Sequence, residues 1–145
     1  MRPLRLAVLM LLAACRTAPL VDPPPVSAAP TSELTHRAIL RALIHESFVV
    51  DQDVPGRIRA QCRDGWIMTV DIEYSDRVTL RYVDSELLDY RVRHGVRYIH
   101  KGYNVRAQRL VDAIQREERL IMAEVDPDSI PEPPVGAPPP PNPDR

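Results

Sequence analysis

Between Arg57 and Tyr82 the chain switches between apolar and polar at every second residue, and this alternation constrains the fold more than any other feature. Ile58, Ala60 and Cys62 alternate with Arg57, Arg59 and Gln61. Trp66, Met68, Val70, Ile72 and Tyr74 alternate with Thr69, Asp71 and Glu73, and Val78, Leu80 and Tyr82 with Arg77, Thr79 and Arg81. Side chains along a strand point to opposite faces in turn, so the pattern predicts three consecutive strands with one apolar and one charged face. All the apolar positions are even-numbered, and paired residues share a face. Each hairpin therefore needs a loop with an odd number of residues.

Arg63-Asp64-Gly65 reads as such a loop, with Gly in the left-handed position, and pairs Cys62 with Trp66, Ala60 with Met68 and Ile58 with Val70. Ser75-Asp76-Arg77 reads as the next, pairing Tyr74 with Val78 and Ile72 with Leu80. In this register Arg57, Asp71 and Arg81 form a basic-acidic-basic row on the outer face. Exposed pairs of this kind contribute only ~0–1 kcal/mol.

Phe48-Val49-Val50 is β-prone and opens the sheet. A fourth strand is expected near Leu88–Arg93, with Tyr90 and Val92 inward and Arg91 and Arg93 outward, before a turn at His94-Gly95. Residues 96–99 add a short extended piece. A helix capped by Thr31 or Ser32 and running to Glu46 presents Leu34, Ala38, Leu43 and Ile44, with Ile39 and Leu40 alongside. A second, from Tyr103 to Glu124, presents Ala107, Leu110, Val111, Ile114 and Ile121, with Glu117 and Glu118 interrupting that face. Helix, four-stranded antiparallel meander and helix make an α+β two-layer sandwich, with both helices covering one sheet face.

The 16 prolines bound this domain. Only Pro55 falls between Pro30 and Pro127, so residues 32–125 form one domain, large enough for a single modest core. Residues 16–31, with Pro23-Pro24-Pro25, read as a polyproline-rich spacer reaching up to ~50 Å. Residues 126–145 read as a disordered proline-rich tail.

Residues 1–14 have the parts of a secretory signal: Arg2 and Arg5, an apolar centre from Leu6 to Leu12, then Ala13-Ala14. The apolar run is far short of the ~20 residues that span a bilayer. Leu12-Ala13-Ala14-Cys15 resembles the lipobox of bacterial lipoproteins. The resemblance implies cleavage before Cys15 and acylation of its sulfur, with a lipid bilayer as partner; tether, small domain and proline-rich tail together suit a non-catalytic module that presents a surface to an envelope protein partner. Arg16 stands where Asp would signal inner-membrane retention in the enterobacterial system, so the expected address is the outer membrane, facing the periplasm.

With a formal net charge of −1, made more negative when Arg2 and Arg5 leave with the leader, the chain gives no reason to expect nucleic-acid binding. All the basic residues except Lys101 are Arg. His36, His45, His94 and His100 form no metal-ligand spacing with Cys62, and there is no nucleophile elbow and no phosphate-cradling glycine loop. Neither a cofactor nor catalysis is expected. Once Cys15 is acylated, Cys62 has no disulfide partner.

Polar residues gather where the meander hands over to the last helix, in Tyr82-Val83-Asp84-Ser85 through Tyr90 and in Ile99-His100-Lys101-Gly102-Tyr103-Asn104. These segments resemble a family of small, mostly uncharacterised proteobacterial lipoproteins. That family carries Tyr-x-Asp-Ser, then Asn-Leu-x-Tyr, then Ile-His-x-x-Tyr-Asn-x-Trp, and the match covers roughly residues 36–114. Leu87 stands where the family has Asn, and Arg106 where it has Trp. The resemblance implies a fold and an envelope address, with no activity. Two candidate binding surfaces follow from the residues. One is the corner Asp84, Ser85, His100, Tyr103 and Asn104, residues that caps, turns and closure of the core edge explain better than a ligand does. The other is an arginine face of Arg57, Arg59, Arg81, Arg91 and Arg93, suited to a small anionic envelope component.

Overall fold

The computed structural model describes residues 16–125; Cys15 and the segments read from sequence as a leader and a proline-rich tail lie outside them. The α+β class holds, with two helices and two antiparallel sheets in place of one. In chain order the elements are β1 (Thr17–Pro19), β2 (Val26–Ser27), α1 (Ser32–His45), β3 (Phe48–Val54), β4 (Arg57–Arg63), β5 (Ile67–Tyr74), β6 (Arg77–Glu86), β7 (Arg91–Arg93), β8 (Val96–His100) and α2 (Gly102–Val125). The larger sheet runs β2-β6-β5-β4-β3 and the smaller β1-β8-β7.

Burial follows the alternation. Ile58, Ala60, Cys62, Met68, Val70, Ile72, Val78 and Leu80 are buried in one core with residues of both helices. The β5–β6 hairpin has the expected register, Tyr74 opposite Val78 and Ile72 opposite Leu80. The β4–β5 hairpin does not: Cys62 pairs with Met68, Ala60 with Val70 and Ile58 with Ile72. The loop is Asp64-Gly65-Trp66, with Gly65 at φ +70°. A slip by two keeps every side chain on its own face, so the alternation allows both registers. In the observed one, Trp66 packs half-buried against the end of the core and fully buried Met68 opposes Cys62. The same slip makes the outer row Arg59–Asp71–Arg81, so Arg57 is not in it.

The proposed fourth strand leaves the meander. A bulge at Thr69/Val70 leaves Val83 unpaired on β6, which brings Tyr82 and Ser85 to one face. The chain then turns away through two left-handed residues, Leu87 (φ +63°) and Asp89 (φ +52°). Residues 91–93 consequently join the smaller sheet against β8. Tyr90 and Val92, expected inside, are 41% and 58% exposed.

Residues 16–31 are not a free spacer. β1 pairs with β8 and β2 with β6, so this segment lies along the domain on both sides of Pro23-Pro24-Pro25.

The α1 helix starts where the Thr31 hydroxyl accepts the Leu34 N–H at 3.3 Å. It buries Thr35, Ala38, Ile39, Ala42 and Leu43, whereas Ile44, assigned to that face from spacing, is 75% exposed. The α2 helix packs along α1. Its Glu117 and Glu118 do not break the contact; both are buried in it. Glu117 approaches His45 at 3.7 Å, and Glu118 accepts the Ala29 N–H at 3.1 Å.

Leucine at φ +63° on an 82% exposed site carries backbone strain and gains little from packing. Leu87→Asn should raise stability by about 0.5–1 kcal/mol, read as a higher urea midpoint at unchanged m. Burial raises the Glu118 pKa, against the opposing hydrogen bonds from Ala29 and Thr35. The folded state therefore binds this proton more tightly than the unfolded chain. The Glu118 contribution is fully present below the ordinary glutamate value of about 4.3 and is lost as pH rises through the higher folded value. Glu118→Gln should remove that part of the decline, so the variant gains on wild type as the midpoints are followed from about pH 4 to about pH 7.

Candidate functional site

The polar corner predicted from sequence assembles where β6, β8 and the start of α2 meet, and what occupies it is the protein's own N-terminal segment. Gly102 opens α2 directly after β8, and its N–H is accepted by His100 Nδ1 at 3.1 Å. A Cβ at Gly102 would come within 3.0 Å of that nitrogen. The next two residues then face the segment between β1 and β2. Asn104 grips the backbone twice: its Nδ2 donates to the Pro19 carbonyl at 2.8 Å and its Oδ1 accepts the Val21 N–H at 3.1 Å. Tyr103, fully buried, donates its hydroxyl to Asp22 Oδ1 at 3.1 Å.

Asp22 is the hub. The same Oδ1 accepts the Tyr82 N–H at 2.9 Å, and Oδ2 lies 3.8 Å from the Arg97 guanidinium. Backbone bonds flank these contacts, from Lys101 N–H to the Arg16 carbonyl at 2.9 Å and from Leu20 N–H to the Arg97 carbonyl at 2.8 Å. An aromatic cluster walls the corner. Tyr82 meets Tyr103 edge-on at 5.3 Å between centroids and stacks on Tyr90 at 5.1 Å. Burial, followed by the neighbouring Asp22 carboxylate, pushes the Tyr103 hydroxyl far above the usual tyrosine range. Burial likewise raises Tyr82. Both stay protonated at neutral pH; Tyr103 donates to Asp22, and both rings serve as packing surfaces.

The remaining corner residues also bond locally. Ser85 Oγ and Tyr82 Oη are 2.9 Å apart, and Asp84 Oδ1 accepts the Ser85 N–H at 2.8 Å. Of the corner residues, Tyr103 and Asn104 hold the segment around Pro19, Val21 and Asp22, whereas Ser85 bonds Tyr82, the His100 ring bonds Gly102 and Asp84 shapes the end of β6.

The arginine face divides. Arg59 and Asp71 form a two-pronged pair, Nε to Oδ1 and NH2 to Oδ2, both at 2.7 Å. That hydrogen bond holds the Asp71 carboxyl below its usual range. Arg81 is 3.8 Å from Glu73, and Arg57 reaches Gln52 at 3.5 Å. Arg91 and Arg93 belong to the smaller sheet and are not in this row. Arg91 donates to the Thr17 hydroxyl at 2.9 Å, and Arg93 makes no ion pair among the described residues.

Two residues matter that sequence reading passed over. Asp22 was one acid inside a proline-rich stretch, a composition that masked its partners 60 and 81 positions away. In the sequence, Arg106 stands out only as the position where the resembled pattern has Trp. It instead reaches from α2 to the Glu46 carbonyl at 3.1 Å and to Cys62 Sγ at 3.3 Å, and so joins α2 to the end of α1 and to β4.

A concavity also lies elsewhere. A groove of about 670 Å3 runs between residues 27–30 and the last turns of α2, lined by Pro30, Leu120, Met122 and Ala123 among others. No group of acidic, His and Cys side chains suited to a metal ion occurs among the described residues, and none of their helices is long and apolar enough to cross a membrane.

Asp22→Ala should cost about 1–3 kcal/mol, because it leaves the buried Tyr103 hydroxyl without its acceptor. It should also open the region between Arg16 and Pro30 to proteases that leave the wild type intact, as limited proteolysis with mass mapping would show.

No family model matches this chain, and neither the curated proteins nor the solved structures contain a match.

Proposed function

We propose that this protein is a lipid-anchored, non-catalytic interaction module of a bacterial cell envelope, held at the outer membrane on its periplasmic side through acylated Cys15. The observation that carries the reading is Leu12-Ala13-Ala14-Cys15 at the end of a short apolar leader that begins with Arg2 and Arg5. The clamp supports it. Asp22, Tyr103 and Asn104 are bonded to one another or to the chain itself, which suits a part that fixes the domain to whatever precedes Arg16. The two helices and the larger sheet then act as a two-layer body. Its uncovered face, with the Arg59–Asp71–Arg81 row, is the surface offered to an envelope protein partner.

Recognition of a small anionic component by the arginine face is the weaker reading, because Arg59 is already neutralised by Asp71.

The anchor is tested by expression in a Gram-negative bacterium with an alkyne-bearing fatty acid. Wild type should take up label and sediment with the outer membrane, and Cys15→Ala should do neither. Wild type that stays unlabelled and soluble overturns the proposal. Crosslinking in cells, with wild type beside Arg59→Glu/Arg81→Glu, then tests the partner face.

A further inference from the structure

We infer that the smaller sheet is a membrane-contact surface whose outer face lies on an anionic phospholipid bilayer; the inference rests on the reading of Cys15 as the lipid-bearing residue. Two independent observations meet in this sheet. The first is position. Arg16, the first described residue, is tied through its carbonyl to the Lys101 N–H at 2.9 Å, and β1 begins at the next residue. Adjacent Cα atoms are about 3.8 Å apart, so a lipid on Cys15 leaves no spacer between bilayer and sheet. The clamp on Asp22 prevents residues 16–27 from peeling away to supply one.

The second observation is charge. The strands Thr17–Pro19, Arg91–Arg93 and Val96–His100 contain no acidic residue. Arg91 and Arg93 project from the face that also carries Thr17, Val96 and Tyr98, as the pairing register and the Arg91–Thr17 bond require. Arg16 and Lys101 continue the positive charge along the edge, all four cations are exposed, and Val96 is 44% exposed among them. The larger sheet is different, since its Arg59 and Arg81 face Asp71 and Glu73. Cations around the exposed Val96, on the edge where a lipid would enter, match the headgroup region of an anionic leaflet. Asp89 precedes β7 by two residues, and Asp22 pairs with Arg97, which lies on the opposite face from Arg91 and Arg93.

The test uses the full chain, purified from a Gram-negative host and reconstituted into vesicles of phosphatidylcholine alone or with about one third phosphatidylglycerol. Hydrogen exchange is followed by mass spectrometry. The expected result is at least a fivefold slowing of exchange over residues 16–20 and 91–101 on anionic vesicles only. High salt should reverse the slowing, because it shortens the screening length. Arg91→Glu/Arg93→Glu should abolish it while the protein stays vesicle-bound. Equal exchange on both vesicle types, or protection confined to the larger sheet, overturns the inference while leaving the anchor intact. Intact mass judges the anchor separately. Protein found without lipid on Cys15 removes that reading, and sedimentation with the same anionic vesicles then decides the surface. Binding lost in the double variant supports it, and absence of binding overturns it.

Discussion

Burial of one face of the larger sheet is the constraint on which the other elements depend. Ile58, Ala60, Cys62, Met68, Val70, Ile72, Val78 and Leu80 all lose their water, and at roughly 25 cal/mol per Å2 of apolar area no surface interaction in this protein competes with that contribution. Strand pairing must keep these residues together, so any register that moves one to the outer face is excluded. The helices are recruited by the same surface. Ile39 and Leu43 of α1 and Leu110 and Ile114 of α2 share its core, and buried Glu117 and Glu118 are tolerated because each meets a polar group between the helices or under residue 29.

The second layer of organisation is polar and concerns the N-terminal segment. A chain with Pro23-Pro24-Pro25 cannot supply a full ladder of backbone donors, so it enters the sheets only as short strands on either side. Between them the holding is done by side chains. Asn104 replaces a strand neighbour for Pro19 and Val21, and Asp22 takes a backbone N–H from β6 and a hydroxyl from α2. Three sequence-distant elements are joined in this way, and a stretch with the composition of a linker becomes part of the fold.

The two positions that depart from the resembled pattern now have physical descriptions. Residue 87 occupies a left-handed conformation, which asparagine accepts readily and leucine does not. Arg106 fills its place with polar contacts to Glu46 and Cys62, so the helix is anchored by hydrogen bonds where an aromatic side chain would act by packing. Charge is distributed just as unevenly. The outer face of the larger sheet is internally neutralised by the Arg59–Asp71 pair, while the smaller sheet carries arginines and no carboxylate within its strands.

The sequence by itself determined the α+β class, both helices, the inward and outward faces of the central strands and the β5–β6 hairpin. These depend on periodicity and on turns only a few residues long, where cause and effect are neighbours in the chain. Tertiary structure alone decided the two-residue slip between β4 and β5, because both registers satisfy the same alternation; the observed one sets buried Met68 opposite Cys62 and Trp66 against the core. It alone sent residues 91–93 to a second sheet, since left-handed Leu87 and Asp89 redirect a strand that its own pattern would continue. It alone drew residues 16–27 into the domain, because the partners of Asp22 lie 60 and 81 positions further along. A pattern of period two says which way a side chain points; only packing says what it meets.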